Sequence, residues 1–202
     1  MKRNFLLSAL ALLLCLGAQA QSAKRVLDKT AQMVKSAGGM LVDYTYLVNN
    51  SDHGRGTLRV EGERFSNAMG SVQSLWYDGK TLWTLSDGEV YVSNPSAEEL
   101  AGIHPYSFLS LYKQNYEVKE SKNSCKQFYE IVLKPNKKNT SGLSIVVRIR
   151  RSDYQPLSVC LLKDGGNVAV VVQRFLKHQQ FPSGTFTFNA SAHPGVEVVD
   201  MR

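Results

Sequence analysis

The sequence predicts an α+β fold: an incomplete, unclosed and mostly antiparallel β-barrel with a helical lid over a hydrophobic cavity. Three observations predict it. A single amphipathic stretch comes first, alternation with a period of two then dominates the chain, and short apolar-faced helical segments interrupt the strands near the middle. No internal repeat or low-complexity linker divides the chain.

Residues 1–20 read Met-Lys-Arg-Asn, an apolar run from Phe5 to Gly17, then Ala18-Gln19-Ala20. That is the basic start, apolar middle and small-residue cleavage site of a secretory signal, so export and a mature chain beginning at Gln21 are expected. Cys15 is not expected to be lipidated, because Leu14 before it is not small. Residues 21–202 are then expected to form a single domain. Their 22 basic and 17 acidic residues leave a mild positive charge. Much of it lies between Lys113 and Lys138, which reads as solvated loop surface or as a patch steering toward anionic headgroups or an acidic partner. No aromatic RNA-binding signature or zinc-finger spacing accompanies it, so nucleic acid is not an expected partner.

The elements follow in order. Val26, Leu27, Thr30, Ala31, Val34 and Ala37 recur every three or four residues, a helix that Gly38-Gly39 stops. Met40, Val42, Tyr44, Tyr46 and Val48 then share one face of a strand. A turn through Asn49–Asp52 and His53-Gly54 leads to strands at Thr57–Glu61 and Phe65–Met69. Leu75–Tyr77 and Thr81–Leu85 flank Asp78-Gly79, read as a two-residue hairpin turn, and a second turn at Asp87-Gly88 precedes Val90–Val92. Ser96 and Glu99 have capping-box spacing for a short helix ending at Gly102, and Pro105 opens another with Phe108, Leu109, Leu111 and Tyr112 on its apolar face. Strands are expected at Gln127–Leu133, Leu143–Ile149, Leu157–Leu162 and Val168–Phe175, the last covered on both sides because Val168 to Val172 is apolar throughout. Thr185–Phe188 and Val196–Val199 close the chain.

Catalysis is not expected. His53, His104, His178 and His193 fit no metal spacing and read as turn residues, no Gly-x-Ser-x-Gly elbow is present, and Asp78 and Asp87 belong to turns. Neither a metal nor a cofactor is implied. Cys125 and Cys160, both on strand-like segments, are free to pair in an oxidising compartment, and the sequence does not decide whether they do.

What remains is an excess of inward apolar groups on strands and short helices with apolar faces. A sheet curled into a half-barrel has a concave interior, and helices across its mouth bury their apolar faces there. The alternation places Val42, Tyr44, Tyr46, Leu58, Val60, Leu75, Ile131, Leu133, Ile145, Val147, Leu157 and Val159 inward, with Ile103, Phe108, Leu109 and Tyr112 as the lid. A one-residue bulge would invert any of these faces. Periodicity does not separate a hollow interior from a filled one.

Leu75-Trp76-Tyr77-Asp78-Gly79-Lys80-Thr81-Leu82-Trp83 resembles the signature hairpin of the outer-membrane lipoprotein carrier family. Further pieces stand in the family's order: Gly56–Val60, Phe65, Asn94-Pro95, Ile103-His104-Pro105-Tyr106 with Phe108-Leu109, Phe186-Thr187-Phe188 and Pro194–Asp200. They extend over nearly all of residues 21–202. The resemblance implies a monomeric periplasmic chaperone that takes acylated lipoproteins from an inner-membrane lipoprotein-releasing transporter to an outer-membrane acceptor, with no bond-making step. In that family an arginine latching the lid stands where this chain has Gly62, which leaves Arg64 as the substitute. The competing readings are a lipid- or peptide-binding envelope sensor on the same scaffold, without transport, and an envelope hydrolase, which would need an activated nucleophile.

Overall fold

The computed structural model describes residues 22–96, 99–100, 103–104, 106–113, 116–137 and 142–202. The secretory signal expected at 1–20, the helix stop at Gly102 and the helix-opening Pro105 lie outside them. Among the described residues twelve strands belong to a mostly antiparallel open sheet, as expected. The chain divides into two compact units. The first takes the described residues up to Met33 with Phe108–Gly165, and the second takes Val34–Ser107 with Gly166–Arg202.

The helix α1, residues 22–36, belongs to the first unit up to Met33 and to the second beyond it, and it ends as expected at Gly38, which adopts φ +64. The strands of the second unit are β1 (Met40–Val48), β2 (Ser51–Glu61), β3 (Arg64–Met69), β4 (Gln73–Tyr77), β5 (Leu82–Ser86), β6 (Glu89–Ser93), β11 (Gly166–Leu176) and β12 (Glu197–Asp200). Their order is β12-β6-β5-β4-β3-β2-β1-β11, antiparallel except for the β12–β6 pair. Burial in β1 alternates through Met40, Val42, Tyr44 and Tyr46, the period-two signal of a strand with one covered face.

Four local expectations of this unit are corrected. The β1–β2 turn is Asn49-Asn50, both at positive φ, and His53-Gly54 lies within β2. Asparagine tolerates the left-handed region, and the side chain of Asn49 also accepts from the backbone N–H of Asn167 at 2.9 Å. Asp78-Gly79 is not a two-residue turn. Tyr77 pairs with Leu82, so the loop has four residues, fixed by the Asp78 carboxylate accepting from the N–H groups of Lys80 and Thr81, each at 2.8 Å. Asp87-Gly88, with both residues at positive φ and Ser86 opposite Glu89, is the true two-residue turn. Residues 185–188 form turns closed by Thr185 N–H to Pro182 O and Thr187 N–H to Gly184 O rather than a strand. Val168 is 42% exposed, so β11 is not covered on both sides.

In the first unit β7 (Tyr116–Glu120), β8 (Phe128–Pro135), β9 (Ser144–Arg150) and β10 (Pro156–Lys163) run in the order β10-β9-β8-β7, and the short helix α2 is Phe108–Leu111. β7 falls inside the lysine-rich stretch read as loop. Its Tyr-Glu-Val-Lys-Glu sequence buries only Val118, which is too little apolar periodicity to betray a strand. The segment between β7 and β8 is structured around Glu130. Glu130 is buried, takes a bond from Arg148 Nε at 2.9 Å and another from Asn123 Nδ2 at 2.9 Å, and its backbone is held by Ser121 and Ser124. Burial opposes ionisation there, but these donors win and hold the carboxyl below its usual range. Cys125 sits in this segment, not on a strand, and both Cys125 and Cys160 are free thiols.

Gly39 is fixed by close approach to backbone. A Cβ on Gly39 would stand 2.0 Å from the carbonyl oxygen of Gln179, whose N–H donates to Gly39 O at 2.8 Å. Gly39→Ala is therefore expected to destabilise the protein by about 1–3 kcal/mol, the usual cost of overpacking. Urea denaturation at constant m-value is the check.

Candidate functional site

The predicted inward residues fall into both units. In the second, the ladders line up one face in layers. Met40, Val60, Phe65, Tyr77 and Leu82 stand opposite one another across β1–β5, and Phe175, Val42, Leu58, Asn67 and Leu75 form the next row from β11 to β4. Tyr44 and Tyr46 follow, opposite Val172 and Val170 on one side and Gly56 and Gly54 on the other. Thus Val42, Tyr44, Tyr46, Leu58, Val60 and Leu75 are brought together on one apolar face. Sequence reasoning missed Phe65, Tyr77 and Leu82. Period two carried from Leu75 to Tyr77 would have found the second of these.

The glycines facing the tyrosines have a structural reason. A Cβ on Gly56 would lie 2.3 Å from Tyr44 Cζ, so the ring crosses β2 where no side chain stands, and its hydroxyl reaches Asn67 Oδ1 on β3 at 2.7 Å. That bond satisfies the one polar tip the ring carries into an apolar face. Burial outweighs the bond to Asn67 and pushes the Tyr44 phenol up from its ordinary value.

The face is covered. Val34, Ala37, Leu100 and Tyr106 pack against it. The expected capping box precedes Leu100: Ser96 N–H donates to Glu99 Oε2 at 2.8 Å while Glu99 N–H donates to Ser96 Oγ at 3.3 Å. His104 also meets the sheet, its ring edge-on to Phe65 with centroids 5.4 Å apart. Nδ1 of His104 accepts the Tyr106 N–H at 3.3 Å, and Nε2 is buried without a partner among the described residues. Ile103, expected in the lid, is 37% exposed. Arg64, the substitute latch, pairs with Glu61 and lies 5.1 Å from the Phe186 ring, so it is engaged by the β2–β3 turn and the C-terminal segment. Gly62 is in that turn at φ +62, a conformation that disfavours any side chain there.

In the first unit Ile131, Leu133, Ile145 and Val147 are buried and face one another across β8 and β9, joined by Ile149, which was not predicted. Val159 stands opposite Val147 and is half-buried. Leu157 sits where the β9–β10 register shifts and is also half-buried. Phe108, Leu109 and Tyr112 are buried, and the Tyr112 hydroxyl bonds Asp28 of α1.

The opposite face of the second unit is polar. A groove of about 870 Å³ is lined by Asp43, Thr45, Arg55, Thr57, Gln173 and Arg174 among others, with Asp43 bound by Arg174 Nε at 2.7 Å and Thr57 Oγ1 at 2.9 Å. A smaller hollow of about 250 Å³ in the first unit mixes Glu117 and Glu120 with Lys119, Lys122 and Lys134. Among the described residues no group of three or more His, Cys, Asp or Glu could hold a metal ion, and no helix is long and apolar enough to cross a membrane.

Residues 13–165 match the family described as outer membrane lipoprotein carrier protein LolA. The chain belongs to this carrier family. The fold agrees: an uncharacterized conserved protein from Thermus thermophilus superposes with a TM-score of 0.57 at 12% identity, over 89% of this chain and 99% of that one. Lipoprotein LppX from Mycobacterium tuberculosis (TM-score 0.48, 9% identity, 80% of this chain and 98% of that one) and LprF from Mycobacterium bovis (0.46, 12%, 82% and 98%) are also similar. No curated protein matches the chain. Within the carrier family, this member has an apolar sheet face under a segment that sets His104 against Phe65.

His104 links that contact to pH. Burial lowers its imidazole below the ordinary 6.5, against the charge of Glu63. A group with a depressed native pKa binds fewer protons folded than unfolded, so its contribution is present at neutral pH and is lost as pH falls from 6.5 through the lowered native value. Protonation at Nδ1 also removes the acceptor of the Tyr106 N–H. Hydrogen exchange at the His104, Tyr106 and Ser107 amides, normalised to intrinsic rates, is expected to speed up on acidification below that value and to stay flat in His104→Phe.

Proposed function

We propose that this chain is a non-catalytic periplasmic chaperone, exported by its first twenty residues, which holds lipoprotein acyl chains and carries them from the inner to the outer membrane. The observation that carries this reading is the apolar face of Met40, Val42, Leu58, Val60, Phe65 and Leu75, covered in part by the single side chains of Leu100, His104 and Tyr106. Each methylene moved from water onto such a face contributes about 0.8 kcal/mol. A long acyl chain therefore offers more apolar area than Leu100 and Tyr106 supply, and cargo displaces the cover by competing for the same surface. The polar groove around Asp43 and Arg174 offers an acyl chain no such gain. Within the second unit Val42, Tyr44, Tyr46, Leu58, Val60 and Leu75 are the residues that contact cargo; within the first, Ile131, Leu133, Ile145, Val147, Leu157 and Val159 take that part, with Phe108, Leu109 and Tyr112 as lid residues. An inner-membrane transporter would load the protein and an outer-membrane acceptor would unload it.

Binding and transfer are tested separately. A fluorescent acylated peptide is expected to bind the purified protein, and Phe108→Asp is expected to weaken binding at least tenfold in a chain that melts at a lower temperature but still cooperatively, because Phe108 is buried. Leu75→Trp, which fills the face from a half-buried position, provides an independent loss of binding in a protein that folds. Unaltered binding in both variants would overturn the site. Passage of the peptide from donor to acceptor vesicles decides between a carrier and a sensor, because a sensor retains what it binds.

A further inference from the structure

We infer that His104 is a specificity-determining residue, its Nε2–H donating to a carbonyl oxygen at the root of the cargo's acyl chains. The inference rests on the carrier reading and deepens it. The imidazole accepts the Tyr106 N–H at Nδ1, 3.3 Å away, so in its neutral form the ring proton resides on Nε2. Burial keeps it neutral at physiological pH. Nε2 is therefore a buried donor with no acceptor among the described residues. Such a group is costly to leave unmade, and an unpaired one in a folded protein needs a reason.

The surroundings say what kind of acceptor it awaits. The ring lies edge-on to Phe65, which is fully buried in the end row Met40–Val60–Phe65–Tyr77–Leu82, next to the Glu61–Arg64 pair that closes the β2–β3 turn, so the histidine meets the apolar face at its end row. On that face the Tyr44 hydroxyl is satisfied by Asn67. Asn167 Oδ1, the other unpartnered buried side-chain atom among the described residues, belongs to the polar end of β11 beside Asn49. Glu63 is exposed on the β2–β3 turn and influences His104 through its charge without bonding it. A ligand that lays hydrocarbon over Phe65 brings its first polar atom to the edge of the apolar patch. In an acylated molecule that atom is the carbonyl oxygen of an ester or an amide, an acceptor without charge, suited to a neutral imidazole donor. The same hydrocarbon joined through an ether lacks the carbonyl.

The experiment compares three fluorescent probes with identical chains, a diacyl ester, its dialkyl ether and an N-acyl amide, by equilibrium titration of the full-length protein. The wild type is expected to bind at least one carbonyl probe about tenfold more tightly than the ether, the size expected when a buried donor regains its acceptor. A preference confined to the ester points to a glyceride, one confined to the amide to an N-acyl group, and one shared by both to the carbonyl alone. His104→Phe preserves the ring contact with Phe65 and is expected to keep ether affinity while losing the preference. His104→Gln, which restores an N–H donor, is expected to recover part of it. Equal binding of all three probes by the wild type, or a preference that survives in His104→Phe, overturns the assignment and leaves the carrier reading standing. Failure to bind any of the probes overturns the carrier reading and the assignment with it.

Discussion

The contact on which the second unit turns is the packing of Phe65. Its ring is fully buried, stands between Val60 and Tyr77 in the β2–β3–β4 register and receives His104 edge-on. Sheet and cover meet there. An edge-to-face aromatic pair contributes about 0.5–1.5 kcal/mol beyond the area it buries, enough to help seat a segment. At this point the cover is held by a ring contact and not by a hydrogen-bonded ladder, which is what the proposed displacement by cargo requires.

The face beneath is shaped as much by absent side chains as by present ones. Gly54 and Gly56 face Tyr46 and Tyr44 across the β1–β2 ladder, and the two rings lie where cross-strand partners would have stood. This lets large rings lie flat along the sheet rather than stand up from it, and it carries the Tyr44 hydroxyl to Asn67. Register shifts beside this pair, between Asp43 and Tyr44 and between Tyr46 and Leu47, keep the apolar residues on one face while the strand bends. The opposite face of the same strands is polar, so one sheet presents an apolar side and a polar side.

The legible parts of the sequence were those governed by local rules. Alternation from Met40 to Tyr46 located β1 and its covered face, Ser96 and Glu99 announced their reciprocal cap, and Asp87-Gly88 gave its turn. Turn chemistry misled where two dipeptides competed: His53-Gly54 looks like a turn, yet Asn49-Asn50 closes the hairpin and β2 runs through the glycine. Asp78-Gly79 failed for a related reason, since the Asp78 carboxylate captured two backbone donors and widened the loop to four residues. β7 was invisible because an edge strand with one buried residue carries almost no apolar signal.

By itself the sequence determined the strand-rich α+β class, the inward set on β1, β2, β8 and β9, and the family resemblance in the Leu75–Trp83 hairpin, because each depends on residues near one another in the chain. Only the tertiary structure decided that Phe65 and Tyr77 complete the face, that Ile103 points outward while Leu100 and Tyr106 cover, and that Arg64 is taken up by Glu61 and Phe186. It also decided the state of His104. Whether a histidine is a solvated turn residue or a buried donor depends on what packs around it, and Phe65 lies 39 residues away in the chain, a separation that no local periodicity reports.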